Sequence, residues 1–257
     1  MASPMLTAHF LGTFRVTVDG ELVDTVSSRR TRSVLAYLLA HRRSPVPRDV
    51  LMDMFWPTAE PQAARNSLHV ALSGVRQALR AVCPHPLLER RFDTYRISDS
   101  VLVWTDVEHF ERNCEAARHA QQAGDGKTAV RCYEAASQLY EDDFLVDEPY
   151  ADWTAATREA LRLQAVEAQS RLMEIYIDYA QYGPATVLGR RILAVDPCNE
   201  QVHRRLMVSY SAAGHRHLAM TQYHRLVTTL WETLRVRPSP NTTSLYETLR
   251  RPEQLTA

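Results

Sequence analysis

Arg65, His69, Ser73, Arg76 and Arg80 recur three and four residues apart, a spacing that lines them along one face of a helix. Leu68, Ala71, Leu72, Val75, Ala78, Leu79 and Val82 recur at the same spacing and form the opposite, apolar stripe. No Asp or Glu falls between Ala64 and Val82. A solvated helix face usually mixes both charge signs, whereas one carrying only cations and hydrogen-bonding groups suits an anionic partner. Such a helix fits the major groove of duplex DNA, where Arg and Ser meet base edges and phosphates. Arg65, His69, Ser73 and Arg76 are the base-edge candidates, and Arg80 is a phosphate candidate. His69 can also turn towards a phosphate. Taken alone, the pattern equally describes a surface helix with a chance run of arginines, so the flanking segments decide.

Other residue patterns with chemical potential do not assemble. Gly126-Lys127-Thr128 has the ending of a phosphate-binding loop, but Gln121 stands where its first Gly belongs and a helix precedes it, so a turn between helices is expected. His215 and His217, with His203 and His224 nearby, have the wrong helical spacing to share a metal and read as surface histidines. Cys83, Cys114, Cys132 and Cys198 are scattered, with no CxxC pair, and imply neither zinc nor a disulfide framework. No nucleophile-elbow, HExxH or paired-carboxylate pattern occurs. The acidic cluster Asp142-Asp143 with Asp147-Glu148 reads as a solvated turn between helices. The expectation is a protein that is not an enzyme and needs no cofactor or metal.

The 257 residues give room for two ordinary domains, and 45% apolar content is that of a globular chain. No apolar run reaches membrane-spanning length and no signal pattern opens the chain, so a cytoplasmic, nucleoid-associated location without membrane contact is expected. The formal net charge of zero conceals a split: residues 1–105 hold 13 Arg and 9 Asp/Glu, residues 106–257 hold 17 Lys/Arg and 21 Asp/Glu. A basic front and an acidic rear suit a nucleic-acid module followed by a protein-contact module. Lys127 is the sole Lys, so part of the Arg abundance reflects a GC-rich genome rather than function.

Periodicity locates the elements that must position the basic helix. Alternation from His9 to Val26, broken at Asp19-Gly20, predicts short strands and a hairpin. Ser27 or Ser28 is placed to cap a first helix with Val34, Leu35, Leu38 and Leu39 inward. A second begins near Arg48 with Val50, Leu51, Met54 and Phe55 inward and ends at Trp56-Pro57; Trp56 is expected to be buried as a hinge anchor. The basic helix over 64–81 completes a helix-turn-helix spanning 47–81. Strands then return at Leu87–Arg91 and Tyr95–Ile97 around a tip at Phe92-Asp93-Thr94, with a further strand at Val101–Trp104. From Asp106 onward the chain reads as helix, punctuated at Gly124, Gly183 and Gly214. Gly124, Ala129 and Tyr133 share their offsets with Gly214, Ala219 and Tyr223, and Leu188 and Ile192 keep that register after Gly183. This is the logic of tetratricopeptide-like helical hairpins, with an ordinary helical bundle as the alternative. The fold class is therefore mainly α with small β elements: a winged helix-turn-helix over 1–105, then an all-α tetratricopeptide-like domain over 106–257.

Several fragments carry a family resemblance. The front half is similar to the OmpR-type winged helix of antibiotic-regulatory activators, the SARP family, through Leu11-Gly12-x-Phe14-x-Val16, Val46-Pro47-Arg48-x-x-Leu51, Phe55-Trp56-Pro57, Ala64-Arg65-Asn66-x-Leu68, Val75-Arg76-x-x-Leu79 and Tyr95-Arg96-Ile97. Thr94 stands where the family usually has Gly before the wing Tyr. The rear half resembles the bacterial transcriptional activation domain of that family at Trp153, Arg158, Leu161 and Pro238-Ser239-Pro240-Asn241-Thr242-x-x-Leu245-Tyr246, with Asn241 in place of the usual acidic residue as a cap for the last helix. The resemblance spans about residues 9–250. It implies a transcriptional activator that binds direct repeats in double-stranded promoter DNA and recruits RNA polymerase.

On that reading Arg29, Arg30, Arg32 and Arg48, at helix starts, clamp phosphates, and Arg90 and Arg91 reach DNA from the wing. Thr58, Glu60 and Gln62, in the loop between the two motif helices, are the polymerase-contact candidates. Direct repeats imply head-to-tail self-association on DNA. Two alternatives are a ligand-responsive regulator whose helical domain binds a small molecule and a helical scaffold with a degenerate winged helix.

Overall fold

A computed structural model describes residues 3–24 and 28–251; Ser27, one of the two candidate caps, and Val26 lie outside the described residues. The first sheet contains β1 (Met5–His9), β2 (Arg15–Val18), β3 (Glu21–Leu22) and β7 (Leu102–Thr105) in the order β3-β2-β1-β7, with β7 parallel to β1. Alternation buries Leu6, Ala8, Val16 and Val18. The β2–β3 turn is at Asp19-Gly20, both left-handed at φ 51° and 91°, the geometry a two-residue hairpin requires. β1 begins before the strand region expected from His9 onward, because its alternation is carried by Leu6 and Ala8.

Ser28 caps α1 (Arg29–Ala40), its hydroxyl accepting the Thr31 N–H at 3.1 Å. α2 (Arg48–Phe55) turns only Leu51 and Phe55 inward. Val50 and Met54, expected in the core, are exposed, because an eight-residue helix offers one narrow buried row. α3 (Pro61–Val82) starts three residues earlier than expected; Pro61 sits in its first turn, where a missing N–H costs no helix bond. β4 (Val46–Pro47), β5 (Leu88–Arg91) and β6 (Thr94–Ile97) form a second sheet in the order β4-β6-β5, which is the wing.

Helices follow: α4 (Asp106–Gln122), α5 (Gly126–Leu139), α6 (Asp152–Asp178), α7 (Tyr182–Val195), α8 (Glu200–Ala212), α9 (Arg216–Leu234) and α10 (Pro240–Arg250). The chain forms two compact units, residues 1–112 with 139–161 and residues 113–138 with 162–257. The units therefore do not part at 105/106, since 106–112 and 139–161 pack with the winged helix.

The first unit is closed by that second segment. The Asp106 carboxylate accepts the Phe10 N–H at 2.7 and 2.9 Å and the Leu11 N–H at 2.9 Å. Leu11 bridges Phe144, whose ring stacks on Phe10 at 5.5 Å. Asp147 accepts the Phe14 N–H at 3.2 Å and pairs with Arg32 at 2.7 Å. Glu148, 7% exposed, accepts from Ser33 at 2.6 Å and pairs with Arg29 at 3.1 Å. The acidic cluster expected as a solvated turn is thus in part a buried latch: desolvated carboxylates need partners, and α1 supplies them. Arg158 holds the segment from behind, donating to the carbonyls of Phe144, Leu145 and Glu148 at 2.9–3.1 Å. Trp153 meets the Tyr37 ring edge-on at 5.1 Å. Counted by compact unit the charge split inverts: the first holds 15 Lys/Arg and 19 Asp/Glu, the second 15 and 11.

The second unit is a succession of tetratricopeptide-like helical hairpins. Gly124 and Gly214 make their turns at φ 76° and 81°. Gly183 does not: it lies in the first turn of α7, and Ala180, at φ 56°, takes the left-handed position before that helix. Ala129, Ala219 and Ile192 are fully buried where helices touch. α7 approaches α8 so closely at Gly189 that a Cβ there would stand 2.7 Å from Leu206 Cδ2. Ser239, not Asn241, caps α10; its N–H donates to Glu200 Oε1 at 2.8 Å, and Asn241 lies exposed in the first turn. Gly126-Lys127-Thr128 opens α5, where Asp125 Oδ1 accepts the Thr128 N–H at 3.1 Å.

Candidate nucleic-acid interface

α3 is positioned by its apolar stripe. Leu68, Leu72, Val75 and Leu79 are at most 2% exposed, and Gly74 allows α1 to approach so that an added Cβ would meet Thr31 Cγ2 at 3.1 Å. The opposite face turns outward with Arg65, His69, Ser73 and Arg80 exposed and Arg76 half-buried. Among the described residues, no carboxylate pairs with Arg65, Arg76 or Arg80. Asn66, Val70 and Gln77 share this exposed surface and were not singled out from the sequence. Val70, 74% exposed, has a signal there: it is an apolar residue out of register with the buried stripe.

The remaining arginines divide by environment. Arg29 and Arg32 are engaged by Glu148 and Asp147, and Arg32 also donates to the Phe14 carbonyl. Arg48 reaches Asp49 at 3.0 Å and the wing residue Asp93 at 2.8 Å, and these carboxylates hold its pKa above the ordinary value. A phosphate at Arg29, Arg32 or Arg48 would compete with a carboxylate already in contact. Arg30 is exposed, its guanidinium 5.8 Å from the centre of the Trp56 ring. Trp56 itself is half-buried rather than enclosed. Thr58, Glu60 and Gln62 are exposed, and the Gln62 amide donates to Asn66 at 3.2 Å.

At the wing tip Phe92 takes the left-handed conformation at φ 51° and is 95% exposed. Thr94 therefore sits in β6, where no glycine is required, and its hydroxyl donates to the Arg91 carbonyl at 2.8 Å. Arg90 Nε donates to the Phe92 carbonyl at 2.9 Å and Arg91 is exposed. At the base of the wing Glu89 accepts from Ser98 at 2.6 Å and from Arg96 at 3.2 Å; these donors outweigh burial and hold its pKa below the ordinary carboxylate value. The wing is thus braced at both ends, with Arg91 and Phe92 left outermost.

A winged helix with a cationic outer helix, followed by helical hairpins, has the architecture of a transcriptional regulator. Residues 105–250 match the family model of the bacterial transcriptional activator domain, and the chain belongs to that family. Across 224 residues it is 26% identical to transcriptional regulatory protein MoaR1 of Mycobacterium tuberculosis, covering 86% of this chain and 72% of MoaR1. Across 225 residues it is 27% identical to regulatory protein DnrI of Streptomyces peucetius, covering 84% and 81%. The structure of Mycobacterium tuberculosis EmbR in complex with a low-affinity phosphopeptide superposes with a TM-score of 0.77 at 26% identity, over 96% of this chain and 65% of that one. The chain thus spans about two thirds of the length of EmbR. These relatives are transcriptional regulators of the SARP type rather than enzymes, in agreement with the sequence resemblance. No described helix is long and apolar enough to cross a membrane.

Proposed function

We propose that this chain is a sequence-specific DNA-binding transcriptional activator. The observation that carries the reading is the outer face of α3: cationic, without a carboxylate, and held outward on a winged-helix frame. α3 enters the major groove with Arg65, His69, Ser73 and Arg76 towards base edges and Arg80 towards a phosphate. Arg30 and Arg91 meet phosphates beside it, and Arg90 steadies the wing. Arg29, Arg32 and Arg48 hold the fold together instead of clamping DNA, because each has a carboxylate within 3.1 Å, whereas Glu89 stands 3.8 Å from Arg91, whose side chain is 68% exposed. Thr58 and Glu60 of the exposed loop, with Gln62 in the first turn of α3, face RNA polymerase. Copies bind direct repeats head to tail, a translational arrangement needing two different surfaces on each copy. The working location is the nucleoid in the cytoplasm. Footprinting on DNA upstream of the protein's own coding region tests the reading. A protected pair of direct repeats is expected, with Arg76→Ala weakening binding by about 1–3 kcal/mol and relaxing preference at one base pair. Equal weakening on every sequence would remove Arg76 from the base contacts.

A further inference from the structure

In the second unit, α7 and α9 both pack on α8 and leave a cleft between them. It has a volume of about 620 Å³, and a second hollow of about 440 Å³ lies nearby towards the α8–α9 turn. Arg190 of α7 and Arg225 of α9 line both spaces. Neither space has an Asp or Glu in its lining. Among the described residues neither arginine has a carboxylate partner; Arg190 Nε donates only to the Thr186 carbonyl, at 3.2 Å. Both arginines are exposed and belong to neighbouring helices lining one space, so an anion there has two cationic donors to meet and no carboxylate to displace.

The floor of the cleft is built. His203, 3% exposed, donates from Nε2 to the Pro197 carbonyl at 3.1 Å and accepts at Nδ1 from the Gln222 amide at 2.8 Å. Burial pushes its pKa below the ordinary value, so the ring is neutral and both nitrogens are occupied. His203, expected at the surface, is thus a fixed wall and has no nitrogen left for a metal. Leu193, Ala194 and Pro197 give the cleft an apolar side. A concave, largely apolar space with a few convergent polar groups is the form small-molecule sites take. The surrounding unit, with 15 Lys/Arg against 11 Asp/Glu, favours an anion at longer range.

We infer that the α7–α8–α9 cleft binds a small molecule with an apolar body and an anionic head, phosphate or carboxylate. The head lies between Arg190 and Arg225 and the body lies along Leu193 and Pro197. This site does not depend on the DNA-binding reading, and it gives the helical domain a ligand of its own.

Isothermal titration of the full chain with hexyl phosphate, hexanoate and inorganic phosphate at constant ionic strength tests it. Saturable one-to-one binding of hexyl phosphate or hexanoate is expected, the tighter of the two identifying the head. Inorganic phosphate should bind at least tenfold more weakly, since it lacks the body. Arg190→Gln and Arg225→Gln should each weaken binding at least tenfold. Ala194→Trp, at an exposed position, should block the cleft with the helical circular dichroism unchanged. Absence of saturable binding, equal affinity in Ala194→Trp and wild type, or equal affinity for inorganic and hexyl phosphate would overturn the assignment.

Discussion

The Ser33 hydroxyl donates to Glu148 Oε1 at 2.6 Å across a sequence separation of 115 residues. With Arg29 at 3.1 Å on the other carboxylate oxygen, this contact fastens the first two turns of α1 to the segment following α5. Replacing Glu148 with Ala removes a charge-assisted hydrogen bond and an ion pair, leaving the Ser33 hydroxyl only the Arg29 carbonyl at 3.0 Å and the exposed Arg29 guanidinium to water. The expected loss is about 1–3 kcal/mol in the unfolding of the first unit. Glu148→Gln keeps one acceptor oxygen and should cost less. Urea denaturation followed by tryptophan fluorescence reads this well, because Trp56, Trp104 and Trp153 all lie in the first unit. Equal stability of Glu148→Ala and wild type would deny the latch its role.

Arg48 and Arg91 should behave differently towards salt. Arg91 is exposed at the wing, and Arg91→Ala should flatten the logarithmic salt dependence of DNA binding by about one unit. Arg48 is held by Asp49 and Asp93, so Arg48→Ala should leave that slope unchanged while loosening the wing. A flattened slope for Arg48→Ala would return it to the phosphate contacts.

Operator spacing probes the head-to-tail arrangement. Equivalent bases in the two repeats should lie about 10–11 bp apart, or a multiple, so that both copies share one face of the duplex. Inserting about half a helical turn should abolish cooperative binding, and a full turn should partly restore it. A stable two-fold dimer on an inverted repeat would refute this geometry.

Glu200 sets an acid sensitivity in the second unit. Burial raises its pKa, but donors from Ser239 and Thr242 outweigh burial and hold it below the ordinary 4.5. A carboxylate with a folded-state pKa below its unfolded value stabilises the fold above the unfolded value, and that contribution fades as pH falls through the folded one. The anchoring of α10 should therefore weaken below about pH 4.5. Glu200→Gln should flatten that dependence, measured as unfolding free energy against pH with Trp231 fluorescence. An identical pH profile in the variant would exclude Glu200 as the cause.

Much of the candidate interface was legible because it is local. The two faces of α3 follow from residue spacing, and Asp19-Gly20 fixes its hairpin within four residues. Gly124 and Gly214 likewise mark turns through their own backbone. Long-range features were illegible: nothing near Asp147 or Glu148 says that Arg32, Arg29 or Ser33 will meet them, so an acidic run reads as solvated. Val50 and Met54 failed because eight residues are too few for periodicity to define an inward face. His203 failed because its partners, Pro197 and Gln222, come from both sides of α8. Gly183 was misplaced because a glycine reads as a turn even where Ala180 adopts the left-handed backbone instead. The ion pair of Arg48 with Asp93 was illegible because Asp93 lies far along the sequence, at the tip of the wing.

The two-segment construction of the first unit bears on synthesis. Residues up to 112 leave the ribosome well before Leu161, the last residue of the closing segment. At roughly 5–20 residues per second this delay is on the order of 2–10 s. During it the N–H groups of Gly12 and Phe14 await the Asp143 carbonyl and the Asp147 carboxylate. The winged-helix module is thus translated before the segment that completes its unit, so in a nascent chain it is finished only after α4, α5 and the start of α6 have been made.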